Sequence, residues 1–144
     1  MRRDIYKEYL AKVLINIIDF SERAKHKFMS CLPQLSEIKR HFSVIEVRAE
    51  CYPVSLRELM YDRVQLEKKG RLIVRSILGA LLEIQQLDIV IRNISAFTVI
   101  LGASLDKAMF TDLRRICEHS ERDMLDCLAP HPYDKEEAKL DVWL

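Results

Sequence analysis

Between Arg71 and Leu101 no proline interrupts the chain, and Ile73, Ile77, Ala80, Ile84, Leu87, Ile91, Ile94, Thr98 and Leu101 recur four and three positions apart. That spacing is one face of an α-helix, which turns 100° per residue. A helix over the whole stretch would span ~46 Å. From Ser76 to Leu105 only Glu83, Asp88 and Arg92 carry charge, so the segment reads as a helix enclosed by neighbours. In a chain of 144 residues, everything else has to pack around it.

The flanking sequence supplies those neighbours. Leu10, Leu14, Ile17, Ala24, Phe28 and Cys31, with Ser21 in the remaining place, predict a long first helix from Asp4 to Cys31, stopped by Pro33. Residues 34–50 carry two patterns. Leu35, Ile38, Phe42, Ile45 and Ala49 make a helical stripe, while IEVRAEC alternates like a half-buried strand. Helix is the reading adopted, because the only partner in view for a strand is RLIVRS at 71–76. Ser55 and Glu58 form a capping box that opens a helix to Lys69, and Gly70 is placed as its C-cap. GAS at 102–104 then turns the chain into a last helix, Leu105 to Leu128.

The expected fold is therefore all-α. It is an elongated bundle of four to five helices built on the antiparallel pair 71–101 and 105–128, with the bundle domain over 1–129 and a tail over 130–144. Three glycines and four prolines agree, since all-β folds use many turn residues.

Charge is balanced, 23 basic against 22 acidic side chains, which gives no pull toward nucleic acid or a membrane surface. The apolar run Ile89–Leu105 is broken by Arg92 and Asn93 and falls short of the ~20 residues a span needs. The N-terminus lacks the pattern of a signal peptide, and four dispersed cysteines suit reduced thiols in the cytoplasm or nucleus. No metal site is expected. Cys117 and His119 diverge by about 200° on a helix, and Cys127 with His131 lacks two further ligands. Nothing calls for a cofactor or a small-molecule ligand.

Three short stretches carry motifs. In RRICEHSERDMLDC, Arg114 and His119 are spaced R-x-x-x-x-H, and RRICEH resembles the motif of HEPN-type ribonucleases. That resemblance implies a small helical dimer in which Arg114 and His119 line a cleft and act on an RNA phosphodiester without a metal. The residues also make an ordinary solvated helix face, with Glu118–Arg122, Arg115–His119 and Arg122–Asp126 each four apart. LEKKGRLIVRS at 66–76 resembles the recognition-helix end and first wing strand of winged-helix DNA-binding proteins. It implies phosphate contacts from Arg63, Lys68, Lys69, Arg71 and Arg75. LGALL at 78–82 has the L-x-x-L-L spelling of nuclear-receptor docking helices, but its place in the most apolar helix predicts burial.

The function expected is non-enzymatic: a protein–protein interaction or adaptor module, acting as a homodimer or with another protein. Its basis is apolar surface in excess of one stripe per helix, at Val13, Ile15, Ile18 and Phe20 and at Leu82, Ile89, Phe97 and Ile100. Ile18, Phe20, Phe97 and Ile100 are the interface candidates. Trp143 and Leu144 join them from the tail, where DKEEAKLDVWL runs from acidic to apolar.

Overall fold

A computed structural model describes residues 2–41 and 44–118. They form three helices, two of them long, and seven short strands in three small antiparallel sheets. The domain is mixed α/β, which overturns the all-α bundle expected from the periodicity.

Helix α1 (Arg2–His26) buries Val13, Leu14, Ile17, Phe20 and Ala24 along one face. Ser21 lies on the same side and donates its hydroxyl to Pro33 O at 3.0 Å. The helix ends five residues before the expected Cys31. Phe28 takes a left-handed φ of 56°, Phe28 N–H donates to Lys25 O, and Met29 N–H donates to Ala24 O. Those are the two bonds of a Schellman cap, made with phenylalanine in the place glycine usually fills.

Residues 34–50 are a hairpin rather than a helix. Strand β1 (Leu35–His41) pairs antiparallel with β2 (Val44–Ala49), with Ile38 opposite Val47 and Lys39 opposite Glu46. The alternation in IEVRAEC was thus the physical signal, and its partner is SEIKRH just upstream. Side chains alternate across a strand, so Glu37, Lys39, Glu46 and Arg48 share one face and pair there, Arg48 Nε–Glu46 Oε1 at 3.0 Å. Ile38 and Val47 are half-buried on the other.

Strand β3 (Val54–Ser55) leads into α2 (Leu56–Met60). Ser55 is its N-cap residue in backbone conformation, without a side-chain cap bond. The long helix α3 (Arg63–Gln86) then starts at Asp62, whose carboxylate accepts from Gln65 N–H at 3.1 Å. It runs through Gly70, which caps nothing. Ile73, Ser76, Ala80 and Ile84 face inward, so the predicted stripe is right up to this point.

Beyond Gln86 it is not helical. Asp88 adopts φ 56° and donates its N–H to Gln85 O, closing the helix with a residue that tolerates the left-handed region. Residues 89–101 are β4 (Ile89–Val90), a loop and β5 (Val99–Leu101). A tight turn follows, in which Gly102 N–H donates to Lys107 O and Leu105 sits at φ 61°. The chain returns as β6 (Ala108–Phe110), with Val99 opposite Phe110 and Leu101 opposite Ala108. A 3₁₀ turn (Leu113–Arg115) and β7 (Cys117–Glu118) complete the described residues. The antiparallel helix pair 71–101 and 105–128 is therefore replaced by one helix and four short strands; 119–128 lie outside the described residues.

The three sheets are β1–β2, β3–β5–β6 and β4–β7. The core gathers α1 (Phe20, Ala24), α3 (Ile73, Ala80, Ile84) and the strands (Val99, Leu101, Phe110) around the buried Cys31–Leu32 segment. Phe110 N–H donates to Cys31 O at 2.9 Å, tying β6 to that segment. Arg92, at φ 66° and only 2 % exposed, donates Nε to Arg115 O at 2.7 Å. Arg23 joins α1 to β7, its guanidinium held by Glu118 and by Asp19 at 2.6 Å. The hydrogen bond it donates to Glu118 is the main reason its pKa is raised, against a smaller opposing effect of burial.

Candidate functional site

Helix α3 has two faces of different character. Its inner face carries Ile73, Ser76, Ala80 and Ile84, all buried. Its outer face carries Val74, Leu78 and Leu82, four residues apart and 56 %, 51 % and 59 % exposed. At 100° per residue these three stay within about 80° of one another. Val64 continues the row toward the start of the helix, and Lys68, Arg71 and Arg75 lie along it, all exposed. A Cβ built on Gly79 meets no atom within 4 Å, so the helix has an open notch between Arg75 and Leu82. Glu67, also exposed, lies on the same face, so the outer face is of mixed charge, with basic side chains in the majority, over its first half and aliphatic over its second.

Two of the three leucines in LGALL point outward, not into a core. Sequence reading missed Val74 and Leu78 because it enclosed α3 on all sides. Leu82 stood out only as an apolar residue off the main stripe. The signal that could have found all three is their own spacing of four, offset from the Ile73–Ile84 row.

The predicted interface residues separate by burial. Ile18 is 38 % exposed and lines a hollow between α1 and β1 of about 350 Å³. Phe20 is 2 % exposed and belongs to the core. Phe97 is 68 % exposed, with the Arg57 guanidinium 4.5 Å above its ring, and Ile100 is half-buried in β5. Trp143 and Leu144 lie outside the described residues. Of the other apolar residues off the main stripes, Ile15 is exposed whereas Val13 and Ile89 are buried.

The basic residues assigned to a winged-helix interface, Arg63, Lys68, Lys69, Arg71 and Arg75, are all exposed on α3. The wing itself is absent: residues 71–76 are continuous helix, so the stretch has no recognition-helix end and no strand after it. Arg114 sits on the 3₁₀ turn, its side chain 80 % exposed and its Nε 3.4 Å from Asp112. His119 lies outside the described residues. The long helix that was to carry both is not present at Arg114.

Arg114 borders a groove of about 600 Å³ between β2 and the β5–β6 end of the central sheet, lined also by Cys51, Asn93, Thr98, Thr111 and Asp112. Several of its polar groups are committed to the chain's own structure. Asn93 Nδ2 donates to Asp112 at 2.6 Å, Thr111 Oγ1 to Thr98 O, and Ser95 N–H to Thr98 Oγ1. The exposed Cys51 thiol donates to Tyr52 O. Among the described residues no group of three or more His, Cys, Asp or Glu side chains is placed to hold a metal ion. None of their helices is long and apolar enough to cross a membrane.

These features define a small mixed α/β domain with one helix face left open. Compared with known protein families the chain matches none, and no curated protein matches it in sequence.

Proposed function

We propose that the chain is a protein–protein interaction module that docks a partner, another protein or a second copy, on the outer face of α3. The observation carrying this reading is the row Val74, Leu78 and Leu82, aligned on one exposed helical face. Roughly half of each side chain remains in water, so covering them would contribute about 1 kcal/mol apiece. A helix laid along such a row is a recurring recognition mode, and Lys68, Arg71 and Arg75 select a partner with carboxylates beside its apolar seam. Among the described residues, free thiols at Cys31 and Cys51 support a reducing compartment, cytoplasm or nucleus, as its setting.

The test is site-specific photocrosslinking in the native source, with the photoreactive residue at Leu78 and, as control, at Glu46 on the charged hairpin face. One discrete adduct from Leu78, absent from Glu46 and lost when Leu82→Asp is added, is the expected result. Equal adducts from both positions, or none from Leu78, would sink the proposal.

A further inference from the structure

We infer that a second copy of this chain docks antiparallel on the outer face of α1, making a symmetric dimer; the inference is independent of the reading of α3. Along α1 the side chains turned away from the core include Glu8, Ala11, Ile15, Ile18, Glu22 and Lys25, all exposed. They recur three, four, three, four and three positions apart, the seam spacing of paired helices. The row reads the same from either end, as a two-fold interface requires: residue i meets residue j, and j meets i. Laid antiparallel on itself, it sets Ile15 against Ile18 of the second copy, twice, at the centre. Glu8 then faces Lys25 of the second copy at each end, the two pairs roughly 26 Å apart. Ala11, one layer in, is small and leaves room for Glu22 of the second copy.

The charges beside the seam are arranged in the same sense. Lys7 and Lys12 with Glu8 give the first half of the row a net +1, and Asp19 and Glu22 with Lys25 give the second half −1. Arg23 at the margin does not reverse this, because Asp19 and Glu118 hold its guanidinium between two carboxylates. A parallel pair would instead bring Glu8, Glu22 and Lys25 each against its own kind. The outer face of α3 is not self-complementary in this way, since Lys68, Arg71 and Arg75 outnumber Glu67 on every copy. Shape agrees with charge. Ile18 stands at the hollow of about 350 Å³ between α1 and β1, whose β1 wall carries Leu35 and Ile38. Ile15 of the second copy, facing Ile18 across the two-fold, enters that hollow as a knob enters a hole.

Sedimentation velocity of the full chain tests this, in reducing buffer so that the exposed Cys51 cannot link copies. The expected result is a reversible dimer, twice the mass of one chain, that dissociates on dilution. Ile15→Asp should leave only monomer. Its circular dichroism and urea midpoint should match those of the parent at dilutions where both are monomers, since Ile15 is exposed. Glu8→Lys alone, or Lys25→Glu alone, turns both end pairs repulsive and should raise the dissociation constant roughly tenfold. Both changes on one chain restore opposite charges across the antiparallel seam and should return the dimer to its parental strength. The inference is overturned by a chain that stays monomeric at every concentration, by a dimer that survives Ile15→Asp, or by a double exchange that fails to restore it. A dimer lost with Leu78→Asp/Leu82→Asp but kept with Ile15→Asp would remove this inference, put the second copy on α3 and leave the docking reading standing. Restoration by the double exchange, with no Leu78 crosslink, would do the reverse.

Discussion

Replacing Ser76 with alanine should loosen the turn that folds β6 back onto β5. The Ser76 side chain lies on the inner face of α3, with Oγ 2.7 Å from Leu105 O and 2.8 Å from Leu72 O. One hydroxyl proton serves one acceptor at a time. Leu72 O already accepts a helical bond one turn on, whereas Leu105 O is at the buried tip of the Gly102–Lys107 turn. The proton therefore matters most at Leu105, whose φ of 61° is itself unfavourable for a branched side chain. Removing the hydroxyl leaves a buried carbonyl unpaired, at a cost of about 1–3 kcal/mol. Alanine recovers roughly 0.5 kcal/mol through its higher helix propensity.

The net loss should be about 1–2 kcal/mol, read as a lower urea midpoint at unchanged slope by far-ultraviolet circular dichroism. For a domain of this size that lowers Tm by roughly 3–8 °C. Hydrogen exchange should rise in the turn, at Gly102 and Leu105, more than in α1. The result that would refute the reasoning is a Ser76→Ala protein within about 0.3 kcal/mol of the parent. Water would then have to reach Leu105 O, and the turn would not be anchored to α3 through this bond.

Gly70→Ala should change stability in the opposite direction. If Gly70 ended a helix in the left-handed region, alanine would destabilise. Within continuous α3, where a Cβ meets no atom within 4 Å, alanine should stabilise by about 0.5–1 kcal/mol, measured by the same urea titration. Thiol labelling of the folded protein should reach Cys51, which is exposed, and should reach Cys31 and Cys117 only on unfolding. Burial, and after it the charge and hydrogen bond of Glu83, push the Cys31 thiol well above its ordinary pKa. The unfolded chain therefore releases this proton first as pH rises. The Cys31 contribution to stability should be intact below about pH 8.5 and decline above it, a decline that Cys31→Ala removes from urea midpoints taken across that range.

How far the fold could be read from the sequence depends on what kind of signal each element carries. On α3 the row Ile73, Ala80 and Ile84 was legible because burial on one helical side repeats with the helix's own period. The same arithmetic then ran on through Leu87, Ile91 and Leu101, all of them buried but no longer helical. Short buried strands are apolar on both faces and mimic any period, so spacing alone does not separate them from a buried helix. What separates them is a chain reversal, and here the reversals are made by Phe28, Asp88, Arg92 and Leu105, all at positive φ, with no glycine at positive φ. Reversals of that kind carry no compositional mark. They hold because surrounding contacts over-determine them, as the Ser76 bond does for Leu105 and the Schellman bonds do for Phe28.

The same reasoning explains why the candidate site came into view only in part. Enclosure of α3 was inferred from the scarcity of charge between Ser76 and Leu105, with a second helix from Leu105 expected beside it. With β5 and β6 in place of that second helix, the small sheet covers one side of α3, and the side bearing Val74, Leu78 and Leu82 is left to solvent. The local apolarity that had argued for burial of LGALL is then what singles this face out as the proposed docking surface. Those leucines stand exposed on a helix whose inner row already fills the core, so nothing in the domain's own packing requires them. Replacing them with polar residues should leave the fold intact and alter only what the face can bind.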